Sequence, residues 1–194
     1  MSTAAGLPRW VRALSGRRGL LLAGLWGLAE ATLFFVVPDV HFTLVAAFRP
    51  GRALALVGAA TAGALLGGVL MFTWSAGDPE RARAAVGNVP AVGSGMVDET
   101  EARLRASGAA ALFDRPLGGV PYKVYAVLAP EHFSLGRFLL LSPPARLERF
   151  APSWLSFALL GWAITRRPSV PRRFVLGLHA FFWTALYVYY WFVR

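Results

Sequence analysis

Glu30 and Asp39 stand in residues 19–48, a stretch that is otherwise apolar and free of Lys and Arg. Arg115 and Lys123, the only lysine of the chain, stand in a second apolar stretch, 109–133, and Arg146 and Arg149 follow three positions apart. Carboxylates among apolar residues are costly unless they face protein, water or a substrate path. A carboxyl group in such a place can also change its charge with small changes in its surroundings. Arginine presents a planar fork of donors to phosphate, and lysine presents a point charge. The expected chemistry is binding and movement of an anion, a phosphate first, with Glu30 as a protonatable or substrate-coupled acid. Each residue also has a plainer reading. Glu30 serves as a structural ion-pair partner, and Asp39 after Pro38 as a cap for the return leg of a hairpin. His41 reads as a hydrogen-bonded packing residue, and Arg115 and Lys123 as cations that snorkel to an interface. Arg146 and Arg149 share a helix face and either bind anionic lipid or anchor the helix at the surface.

The elements that carry these groups read as membrane segments. Apolar types make up 56% of the chain, and the mean hydropathy is +0.52. Residues 53–77 and 174–193 contain no Asp, Glu, Lys or Arg, and each is long enough to cross a hydrocarbon core of about 30 Å. Residues 19–48 are different. Pro38-Asp39 halfway along predicts a chain that turns around at depth, which is tolerated only where the break lines a protein-enclosed cavity. In 109–133, Pro116, Gly118, Gly119 and Pro121 exclude a regular helix through the middle and predict a second turn.

Arginines set the orientation. Arg9, Arg12, Arg17 and Arg18 precede the first hairpin and Arg49 and Arg52 follow it, so both ends belong in the cytoplasm. Residues 53–76 then cross outward, with Gly58, Gly63, Gly67 and Gly68 giving a small-residue face for close packing. Residues 77–114 hold six acids against four bases, which fits the outer side. Within them 97–107 has helical composition, and Gly87 to Gly95 reads as loop. A hairpin from inside plus an outward crossing, then a hairpin from outside plus an inward crossing, is an inverted repeat, which in transporters places a substrate site between two broken elements. Residues 134–165 are expected to be interrupted by Pro143, Pro144 and Pro152, with 134–149 partly interfacial.

The formal charge of +10 would point to nucleic acid in a soluble protein, but no recognition motif accompanies it, and arginine clusters at span ends account for it. The chain has no cysteine, and its three histidines lack metal-ligand spacing, so neither a metal nor a cofactor is expected. A His/Asp metal cluster and an evident Ser/His pair are both missing, and an enzyme is not expected.

Residues 20–165 resemble the DedA family of membrane proteins, also called SNARE-associated or VTT-domain proteins, in its short YqaA-like branch. The resemblance rests on Glu30, Pro38-Asp39 and GAATAGALLGG, then on FDRPLGGVPYKVYAVLAP, then on PPARLERF with Arg146, Arg149 and Phe150. Lys123 stands where many members have arginine. The resemblance implies an all-α polytopic membrane protein with two re-entrant hairpins in an inverted repeat. It divides the chain into a basic cytoplasmic tail (1–18), a DedA-like domain (19–165) and one extra C-terminal transmembrane helix (166–194). It implies a bacterial inner-membrane location, and transport of a phospholipid or a polyprenyl-phosphate carrier, some members coupling it to protons. The expected partners are membrane lipids, an anionic lipid or lipid phosphate, protons, and a second copy of the chain. The alternatives are a non-catalytic factor for envelope maintenance or membrane-protein assembly, and a membrane enzyme acting on a lipid phosphate.

Overall fold

The computed structural model describes residues 9–113, 119–165 and 171–192, and these are all-helical, with no strand among them. The helices are α1 (Arg9–Leu14), α2 (Arg17–Ala31), α3 (Asp39–Ala46), α4 (Pro50–Gly77), α5 (Pro79–Gly87), α6 (Ser94–Ser107), α7 (Tyr122–Leu128), α8 (Leu135–Thr165) and α9 (Arg172–Phe192). Short 3-10 turns cover Gly108–Leu112 and Ala129–Glu131. Among the described residues, α4 is the one helix long and apolar enough to cross a membrane. Residues 174–192 of the predicted span lie in α9, where His179, Thr184 and several tyrosines temper the apolar run.

α2 and α4 run in the same direction in very close contact. Gly24 packs at Ala59 and Gly63, Gly27 at Ala60, and Ala31 at Gly67. A Cβ at Gly63 would collide with the Gly24 carbonyl, and one at Gly27 with the Ala60 carbonyl. Small residues are therefore what lets the backbones approach. The chain turns back after α2, and α3 descends beside α8, with Phe42 against Phe150 at 5.2 Å between ring centroids. The start of α4 thus returns to the level of α1. Arg49 Nη1 donates to Ser15 Oγ at 2.8 Å, and Trp10 meets Phe48 edge to face at 5.9 Å. The basic clusters before and after the first hairpin lie at one end of the molecule.

α8 runs opposite to α4. Phe138 stacks on Phe72 at 5.8 Å near one end, and Trp154 Nε1 donates to the Pro50 carbonyl at 3.1 Å near the other. The prolines do not interrupt it: α8 is one 31-residue helix containing Pro143, Pro144 and Pro152. Each proline costs a helix interior about 3 kcal/mol. Fully buried Phe138 and Phe150 grip the helix on either side of the Pro143-Pro144 pair, and this packing outweighs local propensity. The expected break in 134–165 is absent, and 135–149 forms the first half of a continuous helix.

Residues 77–114, read mostly as loop, contain a helix that was not anticipated. Asp78 Oδ1 accepts from the Arg81 N–H at 3.2 Å and Pro79 occupies the first turn, which starts α5. The expected helix 97–107 forms within α6. Arg83 ties this layer together, with Nη1 3.0 Å from Glu101 and Nη2 2.7 Å from Glu131, and Arg105 also pairs with Glu101. The hydrogen bond from Arg83 holds the Glu101 carboxyl below its ordinary value, against the opposing effect of burial. A carboxylate whose folded pKa is depressed stabilises the fold above its unfolded pKa, and that stability is lost as pH falls through the folded value. Amide exchange in α6 is therefore expected to accelerate only below the ordinary glutamate range. Glu101→Gln is expected to remove that acid dependence; an unchanged acid profile would contradict it.

Candidate functional site

Two helix breaks meet beside Gly67 and Gly68 of α4. The first is 32–38, between α2 and α3. The second precedes α7, whose Tyr122 packs directly on Gly68. α7 then rises so that the Val127 carbonyl accepts from Ser75 Oγ at 2.6 Å. Counted along α4 at about 1.5 Å per residue, the meeting point lies roughly 25 Å from the basic end.

The polar backbone of the first break is satisfied by side chains from several elements. Lys123 Nζ donates to the Phe34 carbonyl at 3.2 Å. Trp26 Nε1 donates to the Val36 carbonyl at 2.8 Å, and the Val37 N–H donates to Tyr187 Oη at 2.9 Å. Open backbone in an apolar setting persists only with such partners. Pro38 precedes α3 and Pro121 precedes α7, the position where a missing N–H costs nothing. Gly119 has φ +78, a left-handed conformation that favours glycine.

Five charged groups gather at this junction. Glu30, Asp39, Lys123 and Arg146 are each buried to 3% exposure or less. Arg146 Nη2 donates to Glu30 Oε2 at 2.6 Å. Arg149 Nη1 lies 3.8 Å from Glu30 Oε1, and Lys123 Nζ lies 4.0 Å from the same oxygen. Asp39 accepts from Ser153 Oγ at 2.8 Å and from Arg149 Nη2 at 3.4 Å. The Arg146 guanidinium sits between the Phe150 and Tyr122 rings, 4.4 and 5.1 Å from their centroids, and these faces partly compensate its buried Nε and Nη1, which have no hydrogen-bond partner. Lys123 is near the N-terminus of α7, where the helix dipole disfavours a cation, so its stability depends on Glu30 and the Phe34 carbonyl.

The junction unites Glu30, Asp39, Lys123, Arg146 and Arg149. Arg115 and Gly118 lie outside the described residues. Arg146 is not a surface anchor; it forms the innermost ion pair. Asp39 does not cap α3, because its carboxylate is taken by Ser153 and Arg149. His41 packs flat on Trp26, with ring centroids 6.3 Å apart, and its Nε2 is 3.1 Å from the Leu14 carbonyl. Among the described residues no group of three or more His, Asp or Glu could hold a metal ion.

A cavity of about 370 Å³ opens beside the cluster. Glu30, Asp39, Lys123, Arg149 and Ser153 line one side, and Trp183, Tyr187 and Trp191 line another, together with 89–92 of the far-end layer. The sequence reading missed Ser153 and the α9 aromatics. The signal was present: 183, 187 and 191 recur every four residues and so share one helix face. Comparison with family models, with curated proteins and with solved structures finds no match to this chain.

Proposed function

We propose that the chain is a DedA-like integral membrane carrier for a lipid phosphate, acting as a flippase or scramblase between leaflets. The observation that carries this reading is the cluster of two buried carboxylates and three cations, two of them buried, beside a cavity also lined by aromatic residues. Such a site suits an anion attached to an apolar body. Lys123 and Arg149 reach the cavity and supply a point charge and a planar fork for phosphate oxygens. Glu30 and Asp39 balance these cations when no anion is bound. They release them, by protonation or displacement, when one arrives.

Membrane embedding is supported by α4 and by exposed Leu21, Leu25, Leu66, Leu70, Leu155, Leu159 and Phe181 on α2, α4, α8 and α9. The contact of Ser15 with Arg49 supports a re-entrant first hairpin whose ends share the cytoplasmic side. The opposite entry direction of the second break, from the far-end layer, supports the inverted repeat. Single cysteines placed at Gly16 and Gly51 of this cysteine-free chain should both label with an impermeant reagent from the cytoplasmic side only. Opposite accessibility would eliminate the hairpin.

Reconstitution into liposomes tests the function. Headgroup-labelled phospholipids and polyprenyl phosphates should exchange between leaflets faster than in protein-free vesicles, and a pH gradient should bias the rate if Glu30 exchanges a proton. Exchange of every tested lipid at the protein-free rate would reject the carrier reading in favour of a non-catalytic membrane factor.

A further inference from the structure

The cavity is polarised. The cations and carboxylates occupy one side, and α9 covers another with Phe182, Trp183, Leu186, Tyr187 and Trp191. The polar atoms of two of these are already engaged with the first hairpin: Trp183 Nε1 donates to Thr43 Oγ1 at 3.1 Å, and Tyr187 Oη accepts from the Val37 N–H at 2.9 Å. What these two side chains have left for a ligand is the two rings and the Tyr187 hydroxyl proton. Trp191 stands near the end of α9, its ring 5.5 Å from that of Phe35, another lining residue. Phe181, on a different face of the same helix, is 71% exposed and does not line this cavity.

Volume limits what this wall can hold. At roughly 30 Å³ per water-sized group, the cavity of about 370 Å³ takes about a dozen non-hydrogen atoms. A phosphate uses about five of them, which leaves space for roughly six to eight carbons before the ligand must leave the cavity.

We propose that α9 forms the hydrocarbon half of the site, its Trp183, Leu186, Tyr187 and Trp191 seating the first six to eight or so carbons of an amphipathic phosphate whose anion rests on Lys123 and Arg149. This rests on the phosphate reading above and adds to it the substrate class, a phosphate ester selected by the segment nearest its headgroup. The C-terminal helix is thereby part of the recognition machinery of the 19–165 domain.

The test is the affinity of the full chain in nanodiscs for alkyl phosphates from ethyl to dodecyl phosphate, measured by calorimetry. Wild type is compared with Leu186→Ala, Trp191→Ala and Phe181→Ala. Partition of the longer probes into the bilayer is common to all four proteins and cancels in their ratios. For wild type and Phe181→Ala, affinity should rise about three- to fourfold per methylene, the gain expected for burying a CH₂, and level off after about six to eight carbons. Leu186→Ala and Trp191→Ala should flatten that rise while still binding ethyl phosphate, and that retained binding also shows that they are folded. Ethyl phosphate binding with identical chain-length profiles in all four proteins would overturn the role of α9 and leave the phosphate site standing. Absence of binding for every probe, ethyl phosphate included, would overturn both.

Discussion

Glu30→Gln is expected to slow leaflet exchange by about one to two orders of magnitude while tightening, not weakening, the binding of a phosphate. In the wild type, Glu30 faces Arg146, Arg149 and Lys123 within 4.0 Å. Glutamine keeps the volume and one oxygen acceptor for Arg146, so the junction remains packed. It removes one of the two negative charges that oppose three cations. A unit charge about 6 Å away at an effective dielectric constant near 20 is worth roughly 2–3 kcal/mol, which corresponds to one to two decades in release rate. An anion drawn onto the cations is then no longer expelled by the returning carboxylate. Glu30→Ala should behave differently. It leaves the buried Arg146 without its partner, and breaking a buried pair in this way typically costs about 3–5 kcal/mol. Separate measurements of phosphate affinity, exchange rate and melting temperature on the two variants distinguish these cases. Equal affinity and equal exchange in wild type and Glu30→Gln would mean that the ion pairs are only structural.

The second large effect is expected at Gly63, where α4 lies against α2. Gly63→Ala places a methyl group against the Gly24 carbonyl where α2 crosses α4. Backbone cannot move aside as a flexible side chain can, so the helices must separate. Overpacking of this kind costs about 1–3 kcal/mol, which for a chain of this length lowers the melting temperature by roughly 2–4 °C per kcal/mol. Separation of α2 from α4 also shifts Glu30, one turn beyond Gly27. Exchange should therefore fall together with stability, without the tighter phosphate binding expected of Glu30→Gln. Gly58→Ala, where a Cβ meets open space, is the matched control and should melt at or slightly above the wild-type temperature, since alanine favours a helix interior over glycine.

The two breaks were legible because proline, glycine and ionisable residues inside apolar stretches conflict with plain spans. The identity of the partners was less so. The opposition of acids and cations was expected between Glu30, Asp39, Arg115 and Lys123. Among the described residues, Lys123, Arg146 and Arg149 stand opposite Glu30 and Asp39, and Arg115 lies outside them. Three prolines made α8 read as interrupted, and a residue on an interrupted segment looks like a surface anchor. Only the tertiary grip on Phe138 and Phe150 carries the helix through, and no local pattern encodes that grip. The cavity-lining role of the α9 aromatics was not legible, because composition alone cannot tell a lipid-facing ring from one that lines a cavity. Helix α5 was missed although Asp78-Pro79-Glu80 is a start signal, because the glycines that follow drew the whole segment toward loop.

Arg149 offers the most direct test of the carrier reading, because it lines the cavity and, at 24% side-chain exposure, is the most accessible of the five clustered charges. The measurement is the leaflet-exchange rate of a labelled lipid phosphate in vesicles containing wild type, Arg149→Lys or Arg149→Gln, all with matched melting temperatures. A carrier site predicts substantial exchange for the charge-conserving lysine and exchange near the protein-free rate for glutamine. Exchange at the wild-type rate with glutamine in place would contradict the site.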